Sequence, residues 1–220
     1  MDAVQHETPH LENHFTVPMD QTVSLKHMVY HAMDQLEGWC PYTKAAIMMD
    51  LVLLMKPQTV VEIGVFGGRS LVPMAFALRE NKKGMAYGID PWMSADSVKG
   101  MTGVNKDWWG SIDHEMIMMG LQDKISQFGL TNHMQLIRAT SASAEPIQNI
   151  DILHIDGNHS EDASLLDVYK WVPCVRKGGV IIFDDLNWET TGKAVKYLNE
   201  NCVKLAEVKG DNIWGIWIKP

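Results

Sequence analysis

Residues 151–188 read DILHIDGNHSEDASLLDVYKWVPCVRKGGVIIFDDLNW, a pattern of strand, loop, helix, turn and strand. The apolar run Ile150 to Ile155 ends in Asp156-Gly157. From Ser160 onward Leu165, Leu166, Val168, Tyr169 and Val172 recur at helical spacing. Glu161 and Asp162 open the helix while Lys170, Arg176 and Lys177 lie towards its end, an order that suits the helix dipole. Pro173 and Gly178-Gly179 stop the helix, and the second apolar run, Val180 to Phe183, closes on Asp184-Asp185. A unit of this length joins two parallel strands by a right-handed crossover, so both strands end at one edge of the sheet. Adjacent strands lie about 4.8 Å apart. Asp156, Asp184 and Asp185 are therefore expected side by side at the carboxyl edge, where open α/β sheets bind ligands.

Three carboxylates so close repel one another unless a positive charge sits among them, and a hard divalent cation is the simplest candidate. Each acid also has a plainer use. Asp-Gly is a common turn pair, and Asp184 or Asp185 could cap a helix starting near Asn187. Their convergence at two neighbouring strand ends favours a metal or ligand site.

Working outward, the 220 residues suit one domain with a full core. The net charge of −8 argues against a sequence-independent nucleic-acid binder. Cys40, Cys174 and Cys202 are far apart and odd in number, with no CxxC, which fits a reduced, cytoplasmic setting. No signal-peptide core and no apolar run long enough to span a bilayer is seen.

Residues 1–21 carry His6, His10, His14, Pro9 and Pro18 without periodicity. They read as an arm, folded over the protein or a partner or, the favoured reading, a mobile tail, and a homodimer is separately expected. Helices are expected over 22–36 and 43–55, broken at Gly38-Trp39-Cys40-Pro41. His27 and His31, one turn apart on the first, lack the third ligand of a zinc site. The methionines and leucines of the second read as core filler. Thr59 to Ile63 is a buried strand, and Gly64, Gly67 and Gly68 turn the chain into a helix over 70–80. Such a turn lets a ligand approach the backbone and the helix N-terminus. Glu62, an acid in that apolar strand, needs a partner if buried. The next strand, Met85 to Ile89, ends at Asp90, where nucleotide folds grip a ribose hydroxyl. The glycine spacing is not GxGxxG, so the dinucleotide fingerprint fails. Residues 91–110, with Trp92, Trp108 and Trp109, read as irregular, either a lid over the ligand edge or a loop the indoles merely anchor. A helix over 111–128, a strand Met134 to Arg138, a helix over 190–201 and a terminal hairpin of 203–209 with 213–219 complete the pattern.

VVEIGVFGGRS, YGID, HIDGNH and GGVIIFDD, in that order, resemble a class I S-adenosylmethionine-dependent methyltransferase. The nearest likeness is to small metal-dependent O-methyltransferases, the catechol type and the macrocin/cephalosporin-hydroxylase type, over about residues 43–220. The resemblance implies a Rossmann-like α/β fold with a seven-stranded sheet in the order 3-2-1-4-5-7-6, strand 7 antiparallel. Residues 22–220 are expected to form a single methyltransferase domain, with 91–110, which the resemblance does not cover, as its lid segment. The resemblance implies cofactor contacts from Glu62, Gly64, Gly67, Gly68 and Ser70, a ribose contact from Asp90, and adenine neighbours in Trp92, or residues beside it, and Ser141. It makes Asp156, Asp184 and Asp185 ligands of a divalent cation, Mg²⁺ first, with Asp156 also beside the cofactor. His159, three residues after Asp156, stands where the catechol-type enzymes carry a lysine base. The function implied is methylation of a hydroxyl on a small molecule, with no nucleic-acid or membrane partner. The rivals are an NAD(P)-dependent oxidoreductase, which the glycine spacing disfavours, and a non-catalytic cofactor-binding protein on the same fold, which the three converging acids disfavour.

Overall fold

The computed structural model describes residues 19–210 and 212–220. Most of the expected arm, with His6, His10 and His14, lies outside them. The first helix, α1 (Met19–Met33), begins inside the segment read as arm. Then follow α2 (Tyr42–Met55), β1 (Thr59–Ile63), α3 (Leu71–Glu80), β2 (Met85–Asp90), α4 (Ser94–Ser97), α5 (Gly103–Ser111), α6 (His114–Gln127) and β3 (Met134–Arg138). The second half holds β4 (Ile150–Ile155), α7 (Glu161–Trp171), β5 (Val175–Phe183), α8 (Gly192–Asn201), β6 (Val203–Val208) and β7 (Trp214–Ile218). The seven strands lie in the order β3-β2-β1-β4-β5-β7-β6, with β7 antiparallel to both neighbours. This is the sheet the resemblance implies.

Register explains why the acids converge. Ile63 pairs with Ile89 and with Ile155, and Ile155 pairs with Phe183. These four residues form one row, so Gly64, Asp90, Asp156 and Asp184 leave the sheet together at its carboxyl edge. The ladder continues past the row, with Asp156 N donating to Ile63 O at 2.8 Å and Asp184 N to Ile155 O at 3.1 Å.

Alternation along the strands feeds two cores. Val60, Ile152, Val180 and Ile182 face α1, α2 and α3. Val61, Leu153, Ile155, Ile181 and Phe183 face α7 and α8. The central strands are apolar on both faces because helices cover both.

Two local expectations change. β5 begins at Val175, not Val180, because Gly178, at φ +71°, lets the chain bulge between the Ile150↔Val175 and Ile152↔Val180 pairs. Residues 91–110 are not irregular throughout, since they contain α4 and α5. They are also tied down: Asn158 Nδ2 donates to the carbonyls of Asp96, Ser97 and Lys99 at 3.3, 3.1 and 2.9 Å.

Candidate active site

One cavity of about 1370 Å³ opens at the carboxyl edge and is bordered by Gly64, Asp90, Ser141, Asp156, His159 and Asp185. Small-molecule pockets usually span about 300–1,000 Å³, so this one has room for a cofactor and an acceptor together.

The β1–α3 turn forms one wall. Gly64 has φ +82°, and a Cβ there would stand 2.1 Å from Asp156 O. Glycine is required because the turns after β1 and β4 touch. Gly67 and Gly68, expected at the cofactor, are not among the residues lining the cavity. A Cβ at Gly67 would meet Glu37 O at 2.5 Å, and one at Gly68 would meet Leu121 at 2.6 Å. Their smallness serves packing of the turn against the chain after α1 and against α6. Asp90 lines the cavity and organises the turn: its Oδ2 accepts from the amides of Val65 and Phe66, each at 3.0 Å. Its Oδ1 accepts from Trp92 N at 2.7 Å. A carboxylate offers about four lone-pair sites, so with three taken Oδ1 keeps one for a hydroxyl. Trp92 is buried in the core at 1% exposure, its indole donating to Phe66 O at 2.9 Å. Its neighbour Pro91, rather than Trp92 itself, borders the cavity.

Glu62 is fully buried and stands back from the cavity wall. It has the partners a buried acid needs: Ser70 Oγ donates to its Oε1 at 2.7 Å, and His154 Nδ1 lies 2.9 Å from its Oε2. Glu62 and His154 are register partners on adjacent strands, which aims them at the same face. The chain of polar groups continues, with His154 Nε2 3.0 Å from Lys44 Nζ and Lys44 paired with Asp184. Burial pulls the His154 imidazole down and Lys44 opposes its charge, but Glu62 and Asp184 prevail and raise it to about 9. Burial disfavours the Lys44 ammonium too, yet Asp184, Asp156 and Cys40 hold it charged, above its ordinary range. Burial would raise Asp184, but Lys44 and His154 hold its carboxyl far below the usual range.

The three aspartates meet as their strand ends require, though they divide. Asp184 is turned to Lys44 and His154, with its Oδ1 lacking a partner among the described residues. Asp185, at φ +53°, turns the other way: its Oδ2 lies 2.6 Å from His159 Nε2, which is 3.8 Å from Asp156 Oδ1. Burial and the Asp184 charge push the Asp156 carboxyl up to about 7. With 32% of that side chain still exposed, the Asp184 charge is the firmer cause. Burial pulls His159 down, but the hydrogen bond it donates to Asp185 and the charges of Asp156, Asp185 and Asp184 outweigh it and raise its pKa. The Trp188 ring stands edge-on to the imidazole, centroids 5.0 Å apart.

Two sets of side chains here have the spacing of cation ligands. Asp156, His159 and Asp185 offer ligand atoms within 4.8 Å of one another, as do His154, Asp156 and Asp184. The orphaned Oδ1 of buried Asp184 and the raised pKa of Asp156 suit a positive group among these acids. The residues fit such a group, with Lys44 already compensating one of the three acids.

The sequence matches the family described as methyltransferase domain over residues 61–186, which runs from β1 to just beyond the Asp184-Asp185 pair. The chain belongs to that family. It is a class I methyltransferase, and its strand order is that of the fold. Solved structures share the methyltransferase's architecture across nearly all of its length. An O-methyltransferase from Bacillus cereus in complex with SAH has a TM-score of 0.58 at 16% identity, covering 93% of this chain and 94% of that one. TomG from Streptomyces achromogenes, an O-methyltransferase of tomaymycin synthesis in complex with SAM, has a TM-score of 0.59 at 13% identity, covering 94% and 93%. SAH-bound PaMTH1 from Podospora anserina has 0.59 at 13%, covering 99% and 100%. At these identities the likeness is one of fold. A comparison with curated protein sequences finds no significant match. Among the described residues, no helix of the methyltransferase is long and apolar enough to cross a membrane.

Sequence reasoning missed Lys44 and His154. A signal existed for His154: a base in one apolar strand and an acid, Glu62, in another announce a buried pair once the strands are neighbours. Lys44 alone among the methionines and leucines of α2 was a weaker one.

Proposed function

We propose that the methyltransferase transfers the methyl group of S-adenosylmethionine to a hydroxyl of a small molecule with the help of a divalent cation, Mg²⁺ by its oxygen donors. The observation that carries this reading is the meeting of Asp156, Asp184, Asp185 and His159 in the same cavity as the β1–α3 turn and Asp90. The SAH- and SAM-bound neighbours of the same fold support the cofactor. When bound, S-adenosylmethionine supplies an electrophilic methyl group, and a divalent cation supplies a Lewis acid that acidifies the acceptor hydroxyl.

The chain's own residues do the rest. Asp90 holds the turn amides and offers the remaining acceptor site of Oδ1 to a ribose hydroxyl. Gly64 brings that turn against the end of β4, so the methyl donor and the acceptor share one short space. Asp156, Asp185 and the free Oδ1 of Asp184 would hold the cation, while Lys44 keeps the buried Asp184 ionised. Neutral His159, whose Nε2–H is engaged by Asp185, would take the acceptor proton on its other ring nitrogen, Nδ1. Trp188 covers the imidazole and limits water there.

Calorimetry with SAH tests the cofactor, and no binding would refute it. With an accepted hydroxyl compound in hand, chelator should abolish turnover and Mg²⁺ restore it, and full activity in chelator would remove the metal. Asp156→Asn and Asp185→Asn should lower kcat far more than they weaken SAH binding, because they act at the acceptor. His159→Ala should lower the rate by roughly 10²–10⁴.

A further inference from the structure

The segment of α4 and α5 is held at two feet. No residue of either helix is buried, so the segment has no core of its own and depends on what it is tied to. Its first foot is Asp90: Trp92 N donates to Asp90 Oδ1 at 2.7 Å, and the Trp92 indole to Phe66 O at 2.9 Å. Its second foot is Asn158, in the turn between Asp156 and His159. The Asn158 Nδ2 has two hydrogens for the carbonyls of Lys99 and Ser97, at 2.9 and 3.1 Å, with Asp96 O at 3.3 Å. Its Oδ1 accepts from Ser160 N at 2.8 Å. The amide can sit only this way round, because one end faces acceptors and the other a donor.

The segment walls one side of the cavity. Asp96, Ser97, Met101, Asn105, Trp108 and Trp109 line it, and the Trp108 and Trp109 rings pack on Trp39, centroids 5.2 and 5.8 Å away. The contact at the second foot is close. Gly100 has φ +74°, and a Cβ there would stand 2.8 Å from Ser160 Cβ. The backbone after α4 therefore lies directly on the turn that carries Asp156 and His159. Both ends of the Asn158 amide are spent on protein groups, so its part is to fix where this wall stands relative to the reacting side chains.

We propose that Asn158 is a positioning residue: it latches the α4–α5 segment, as a strap along the cavity, to the turn bearing Asp156 and His159. The wall that faces the acceptor and the groups that act on it are then set together. The inference rests on the S-adenosylmethionine reading above, because the cofactor is what reaches both feet. A nucleoside held at Asp90 with its reacting end at Asp156 steadies the first foot directly. It steadies the second through the turn after β4, which already meets Gly64. While Asn158 holds, the strap opens only by disturbing that turn, so opening and cofactor release are coupled.

Hydrogen exchange of residues 94–111, read by mass spectrometry with and without SAH, tests the latch. Asn158→Asp keeps the acceptor for Ser160 N but loses both amide hydrogens. Exchange in 94–111 should quicken by about tenfold or more, the value of one or two lost hydrogen bonds, while α7 and the melting temperature stay close to native. Gly100→Ala adds no charge and pries the same contact from the other side, so it should give the same pattern. In the native protein, SAH at about ten times its Kd should slow exchange of the strap by about tenfold. In both variants that slowing should shrink to about threefold or less, because the strap then opens without disturbing the cofactor. A merely structural role would quicken α7 as well and leave the effect of SAH intact. Unchanged exchange of 94–111 in the variants, or an undiminished effect of SAH, overturns the latch alone. No SAH binding by the native protein in calorimetry overturns the cofactor reading and this inference with it.

Discussion

Replacing Lys44 by methionine keeps most of the apolar stem and deletes the ammonium that faces Asp184. Both side chains are nearly buried, at 4% and 6% exposure. Removing one partner of a buried ion pair costs about 3–5 kcal/mol, because the other charge stays behind uncompensated. Here the His154 imidazole, its pKa raised to about 9, remains, with Nε2 3.6 Å from Asp184 Oδ2. The loss should therefore fall at the low end, about 3 kcal/mol. In a domain of this size that lowers Tm by about 6–12 °C. Lys44→Met/Asp184→Asn removes both charges and should recover about half the loss or more, so the two substitutions are strongly non-additive. Urea unfolding followed by circular dichroism at pH 7, with chelator present, reads all four proteins of the cycle. If Lys44→Met stays within about 1 kcal/mol of the native protein, or the double variant loses the sum of the singles, the buried pair is not the counter-ion inferred above.

Three more outcomes are expected. Gly64→Ala forces a Cβ into the Asp156 carbonyl, 2.1 Å away, at φ +82°, so it should destabilise by more than about 2 kcal/mol in thermal unfolding and weaken SAH binding, and a neutral effect would count against the touching turns. Asp151 opposes burial with hydrogen bonds from Arg176, Thr59 and Gln58, and its carboxyl lies below the ordinary 3.8. Its folded pKa is depressed, so its contribution is full above 3.8 and fades as pH falls through the folded value. Asp151→Asn should thus cost about 1–2 kcal/mol at pH 7 and progressively less below pH 4, and a pH-independent difference in urea unfolding would contradict the assignment. Trp188→Ala uncovers His159 and should lower kcat by about tenfold with little change in SAH affinity, whereas an equal loss in both would make Trp188 part of the cofactor site.

The sequence by itself determined the units whose physics is local. Period-3.6 and all-apolar runs marked the helices and the central strands, and the acids at their ends, Asp90, Asp156, Asp184 and Asp185, followed from where each run stopped. The strand order, and with it the neighbourhood of β1 and β4, came through the motif resemblance, since nothing in a strand's own pattern names its neighbour. Residues 91–110 were misjudged because short helices such as α4 are held by contacts from elsewhere, here Asn158, and show no periodicity of their own. Only the tertiary structure decided that Asp184 and Asp185 point apart, that Lys44 reaches Asp184 across 140 residues, and that His154 meets Glu62 across 92. Those pairings depend on register and on which face α2 covers. A buried charge finds its partner in space, and the chain sets that distance only after it has folded.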